Sequence, residues 1–69
     1  MSLHELRVML VEDHAFQRRL GLRLLADLGI THLVEAADGF QALEILRAAN
    51  VKPDVVLIDI RLKQGDGID

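Results

Sequence analysis

The sequence has no cysteine, tryptophan or tyrosine, and only one proline and two phenylalanines in 69 residues. Without cysteine there is neither a disulfide framework nor a thiolate metal centre to staple a small core. A reduced cytoplasmic setting fits that absence. With so few aromatics, a hydrophobic content of 51% is nearly all aliphatic, and it is globular rather than disordered in character. No basic run is longer than Arg18-Arg19 and the formal net charge is −3, which argues against a nucleic-acid-binding surface in these residues. No apolar stretch approaches the ~20 residues that cross a bilayer as a helix. Glu5 and Arg7 interrupt the N-terminal region, so no signal peptide is expected. The length allows one small domain, and a core below about 70–80 residues rarely supplies more than ~3–5 kcal/mol.

What the chain does have is an alternation of short apolar runs with helical patterns, the mark of a parallel sheet with crossover helices. Arg7-Val8-Met9-Leu10-Val11 is a continuous apolar run, as in a strand covered on both faces. From about His14 to Leu28 the period changes to that of a helix. Phe16, Leu20, Leu24 and Leu28 recur every four residues with Leu25 beside them, while Arg18, Arg19 and Arg23 fall toward the opposite side. Leu22 breaks this pattern, Gly21 costs the helix about 1 kcal/mol relative to Ala, and Gly29 is expected to stop it.

Residues 31–37 alternate partly between polar and apolar, which fits an edge strand. Asp38 is an expected N-cap for a second helix with Ala42, Leu43, Leu46 and Ala49 in one stripe, Ile45 flanking it and Phe40 off it. Pro53 ends helical continuation. Val55-Val56-Leu57-Ile58 is a second fully apolar run, ending at Asp59. The order is strand, helix, strand, helix, strand. Right-handed crossovers allow a layout with the first and third strands side by side and the helices on opposite faces. This is an α/β, flavodoxin-like doubly wound parallel sheet cut to β-α-β-α-β, with strand order 2-1-3.

That layout brings Glu12 and Asp13, after the first strand, to one crevice with Asp59, after the third. Such carboxylates repel and raise at least one pKa unless a cation neutralises them. Mg²⁺ suits one or two carboxylates completed by waters and phosphate oxygens. An Asp beside such an ion can attack a phosphoryl group and form an aspartyl phosphate. The bland alternative is that these acids are solvated loop residues or helix caps. His4, His14 and His32 lie on separate elements and read as surface or cap residues.

The residues also resemble a family. Val11-Glu12-Asp13-His14 is similar to the acidic turn of response-regulator receiver domains. Ala36-Ala37-Asp38-Gly39-Phe40-Gln41-Ala42-Leu43 resembles the family's A-x-D/N-G-x-E-A-L entry to the second helix. Pro53-Asp54-Val55-Val56-Leu57-Ile58-Asp59 resembles its phosphoacceptor strand, and Asp66-Gly67 the close of the following loop. The resemblance covers essentially the whole chain and implies a partial receiver domain over residues 1–69, holding the first three strands and two helices. It implies Asp59 as phosphoacceptor, Asp13 as a direct Mg²⁺ ligand, Glu12 as a ligand through water, and the backbone carbonyl of Arg61 as the last protein ligand. The donor would be a sensor histidine kinase, a histidine phosphotransfer protein or a small phosphodonor such as acetyl phosphate.

Two departures accompany it. Lys63 stands where the family usually has Pro, and the family's Ser or Thr and its Lys at the phosphoryl group fall outside these 69 residues. An uncovered third strand is expected to associate with another chain. The leading expectation is a signalling phosphoacceptor, a switch rather than an enzyme. The alternatives are a truncated or degenerate receiver that only binds or dimerises, and an aspartate-nucleophile phosphohydrolase. The last is disfavoured because those enzymes place a D-x-D motif after the first strand, whereas here Asp59-Ile60-Arg61 follows the third.

Overall fold

Backbone hydrogen bonds of the first apolar run are taken up on both sides by parallel neighbours, which is why it sits at the centre of the sheet. The computed structural model describes residues 2–59. Residues Leu3–Glu5 form a short 3-10 turn, followed by β1 (Arg7–Val11), α1 (Ala15–Asp27), β2 (His32–Ala36), α2 (Gly39–Ala48) and β3 (Val55–Ile58). The sheet order is β2-β1-β3, all parallel, as the sequence implied. Register sets Leu10 opposite Glu35 on one side and Leu57 on the other, and Val11 opposite Ala36 and Ile58.

Side chains along a strand alternate between faces, and β1 serves one helix on each. Met9 and Val11 pack with Ala36 and Ala42, and with Ile45 and Leu46 of α2. Leu10 points the other way and lies under α1, where a Cβ added at Gly21 would stand 2.8 Å from its terminal methyl. Gly21 is therefore the point of close approach between α1 and β1 and not a stray helix breaker. The core is small: Val8, Met9 and Ala36 are almost fully buried.

The orientation of α1 differs from the sequence expectation. Phe16, Leu20, Leu24 and Leu28 face outward, at 71%, 48%, 57% and 63% exposed. The half-buried positions are Gln17, Arg18, Gly21, Leu22 and Leu25. Leu22 belongs to the packing face, and Arg18 lies on that face too. The physical reason is that the sheet accepts the face with the least bulk at its centre, Gly21, so the helix axis can come close. On α2 the shift is smaller. Ala42, Ile45, Leu46 and Ala49 turn inward, while Leu43 is 51% and Phe40 84% exposed.

Caps follow the sequence. The Asp38 carboxylate accepts the Gln41 N–H at 2.8 Å, and the Gln41 side chain accepts the Ala37 N–H in return. Gly29 takes φ 102° after α1, a left-handed conformation that costs other residues. β3 is only partly covered, in keeping with the uncovered third strand expected from the sequence: Val56, Leu57 and Ile58 are 40%, 40% and 59% exposed. Among the described residues, no strand lies beyond β3 and no helix covers its outer half, so its side chains remain partly open.

Candidate functional site

The site is built where β1 and β3 end together. Asp59 donates its N–H to the Val11 carbonyl at 3.1 Å, which carries the ladder one residue past β3 and fixes Asp59 beside the end of β1. On the other side, Glu12 donates its N–H to the Ala36 carbonyl at 3.0 Å. The chain then turns into α1 with His14 as N-cap, but the His14 side chain makes no capping bond. The Glu12 carboxylate instead accepts the N–H of His14 itself, at 2.9 Å. Glu12 thus ties the start of α1 to the acidic turn, and it is only 3% exposed.

Its carboxyl lies against both other acids. A side-chain hydrogen bond with Asp59 raises the Glu12 pKa above its ordinary value, the His14 amide pulls the other way, and burial, a hydrogen bond with Asp13 and the charge of Asp59 add to the rise. This is the response expected of carboxyls crowded at one place. Asp13 and Asp59 are exposed at the mouth of the crevice. The structure therefore brings together Glu12, Asp13 and Asp59, the three side chains singled out from the sequence. Arg61, expected to supply a carbonyl, lies outside the described residues, as do Lys63, Asp66 and Gly67.

The donor set suits a hard cation: three carboxylates with no nitrogen or sulfur among them. Among the described residues, no three His, Cys, Asp or Glu side chains enclose an ion by themselves. That is compatible with Mg²⁺, which keeps several waters and takes few protein ligands.

Arg18 is the site residue that sequence reasoning missed. From the first turn of α1 its Nη1 donates to the Glu12 carbonyl at 2.8 Å, and its Nε donates to Glu35 Oε1 at 2.8 Å. Its side chain is 20% exposed while that of Glu35 is 56% exposed. The available signal was its place one helical turn past the acidic loop, with an acid on the neighbouring strand. The arginine-rich face looked solvated, and that concealed it.

A doubly wound parallel sheet with acids gathered at its switch point defines a class of α/β proteins that bind or transfer at the carboxyl ends of their strands. The chain belongs to the response regulator receiver domain family, which matches residues 8–69. It is 36% identical over 64 residues to the chemotaxis protein CheY of Pseudomonas aeruginosa, covering 93% of this chain and 50% of that protein. It is 38% identical over 63 residues to the transcriptional regulatory protein PdtaR of Mycobacterium tuberculosis, covering 91% of this chain and 30% of that protein. Similarity to the sensor histidine kinase CheAY of Helicobacter pylori is 37% over 60 residues, 87% of this chain and 7% of that protein. The chain thus spans half or less of each of these relatives. No solved structure matches it significantly. The family is that of the phosphoacceptor switches of two-component signalling. Among the described residues, no helix is long and apolar enough to cross a membrane.

Proposed function

We propose that this chain carries the phosphoacceptor site of a two-component receiver, with Asp59 as the residue modified. The observation that supports it most is the meeting of the Glu12, Asp13 and Asp59 carboxyls in one crevice, where the hydrogen bond with Asp59 raises the Glu12 pKa. A carboxylate oxygen of Asp59 attacks phosphorus, forming an O–P bond. The P–N bond of a phosphohistidine, or the P–O bond of acetyl phosphate, breaks with its electron pair leaving on the donor, which takes up a proton where needed. Asp13 and Asp59 would hold Mg²⁺ directly, Glu12 through water, and the Arg61 carbonyl would complete the protein ligands. When bound, the ion offsets charge on the transferring oxygens and aligns them for in-line displacement. Glu12 has a second task, because its bond to the His14 N–H ties the acidic turn to α1.

The donor is a sensor histidine kinase or a histidine phosphotransfer protein, and the setting is the cytoplasm. The similarity to a sensor kinase that bears a receiver-like segment fits such a donor. The chain acts as a switch and not as a turnover enzyme. Intact mass before and after incubation with Mg²⁺ and acetyl phosphate tests the proposal. One added phosphoryl group, lost in Asp59→Asn, is the expected result. No addition to the native chain would count against acceptor chemistry in these residues.

A second reading is favoured by β3. Among the described residues, its outer edge has no strand partner, and an apolar groove beside it is lined by Val11, Phe40, Leu43, Leu46, Val56 and Ile58. Unpaired edges invite another chain, so self-association through β3 makes this an interaction module. Sedimentation at rising concentration tests this reading: a monomer throughout removes it, and a dimer that also takes up no phosphoryl group from acetyl phosphate favours it over the first.

A further inference from the structure

We infer that Arg18 is a positioning residue for the acidic turn, setting the direction of Asp13 by holding the Glu12 carbonyl. The inference rests on the proposal that this crevice takes Mg²⁺. The Glu12 carbonyl and the Asp13 N–H belong to one rigid peptide plane. A donor fixed on that carbonyl limits rotation of the plane, and with it the direction in which the Asp13 side chain leaves the backbone. Arg18 is that donor, at 2.8 Å.

The guanidinium is itself held from two sides. Its second bond, from Nε to Glu35 at 2.8 Å, comes from β2, whose register places Glu35 opposite Leu10. Its backbone is held too, because the Arg18 N–H bonds the His14 carbonyl at 2.8 Å in the first turn of α1. Arg18 therefore links three elements at the point where the acidic turn leaves the sheet: β1 through Glu12, β2 through Glu35, and α1 through its own backbone. A planar fork with several donors can do this, whereas a lysine ammonium on a flexible stem does not fix both directions.

This role predicts a sign opposite to that of charge alone. A cation near a Mg²⁺ site repels the ion, so if Arg18 acted only through its charge, removing it would tighten Mg²⁺ binding. If it positions Asp13, removing it weakens binding, as loss of groups that orient metal ligands typically does by about 10- to 100-fold. Arg18→Met keeps the aliphatic stem against the sheet and removes both bonds. Arg18→Lys keeps the charge and loses the fork, so it too weakens binding.

The test is Mg²⁺ titration by calorimetry of the full chain and of the Arg18→Met, Arg18→Lys and Leu25→Ala variants, each checked for native helix content by circular dichroism. Leu25 lies on the inward face of α1 away from the turn, so Leu25→Ala lowers stability without touching the site. The expected result is a loss of about 10- to 100-fold in Arg18→Met, a loss in Arg18→Lys, and native affinity in Leu25→Ala. Unchanged or tighter binding in Arg18→Met, native affinity in Arg18→Lys, or an equal loss in Leu25→Ala would each overturn the positioning role. Failure of the native chain to bind Mg²⁺ would instead remove the metal-site proposal on which it stands.

Discussion

Turning α1 by half a revolution would exchange its inward and outward leucines, so the helix offers a direct test of the packing described. In the structure Leu22 faces the sheet half-buried and Leu24 faces outward at 57% exposed. Truncating a fully buried Leu to Ala costs about 2–5 kcal/mol, so a half-buried one is expected to cost about 1–2. An exposed Leu makes few contacts to lose, and surface changes stay within about 0.5 kcal/mol. Leu22→Ala is therefore expected to lower stability by at least ~1 kcal/mol more than Leu24→Ala. Gly21 sharpens the test. Replacing it with Ala gains about 1 kcal/mol of helix propensity, but the new methyl would meet Leu10 Cδ2 at 2.8 Å. That atom is the end of a flexible side chain, and moving it off its rotamer costs about 0.5–1.5 kcal/mol. The two effects nearly cancel for Ala. Gly21→Leu cannot be accommodated in this way and is expected to destabilise by about 1–3 kcal/mol through overpacking. Urea unfolding followed by circular dichroism measures all four variants. If Leu24→Ala costs more than Leu22→Ala, or Gly21→Leu stabilises, then α1 presents its Phe16–Leu20–Leu24–Leu28 stripe to the sheet and the packing argued above is wrong.

Three further outcomes are expected. The raised Glu12 pKa means the folded chain holds a proton more tightly than the unfolded one, whose reference value is 4.5. Stability from this group is thus full below that value and falls as pH rises through the folded-state pKa. Urea midpoints across a pH series should show this decline, and Asp59→Asn should flatten it by removing the largest cause. Asp38→Ala removes the bond to the Gln41 N–H and should cost about 1 kcal/mol. An equal midpoint for the variant would show that the cap contributes nothing. Gly29→Ala forces a methyl-bearing residue into φ 102° and should cost about 1–2 kcal/mol, with the midpoint of thermal unfolding as the readout.

The sheet was legible because its information lies in one dimension. A run such as Val8-Met9-Leu10-Val11 has no polar position to spare, so it belongs between two neighbours, and acids that stop two adjacent runs must meet. The same logic placed Glu12, Asp13 and Asp59 in one crevice without any contact being known. Apolarity alone does not set cover: β3 is as apolar as β1 but more exposed. Burial depends on what packs against a strand, whereas its composition records only what it tolerates. The helix faces were less legible for a different reason. A leucine stripe at strict intervals of four drifts around a helix of 3.6 residues per turn, and the true contact in α1 centres on Gly21, a residue with no side chain to announce it. Arg18 was hidden for the same cause. It sits one turn from Gly21 and Leu22 on the inward face, but at the rim, where a charged end can reach the Glu12 carbonyl and Glu35 while its stem covers apolar surface. An amphipathic pattern sorts residues by chemical type, so it assigns such an arginine to solvent. Only the register that sets Glu35 beside Leu10 shows why a positive charge at that rim is stable. The site acids can be found from strand ends alone, whereas the group that orients them requires knowing how close the helix comes.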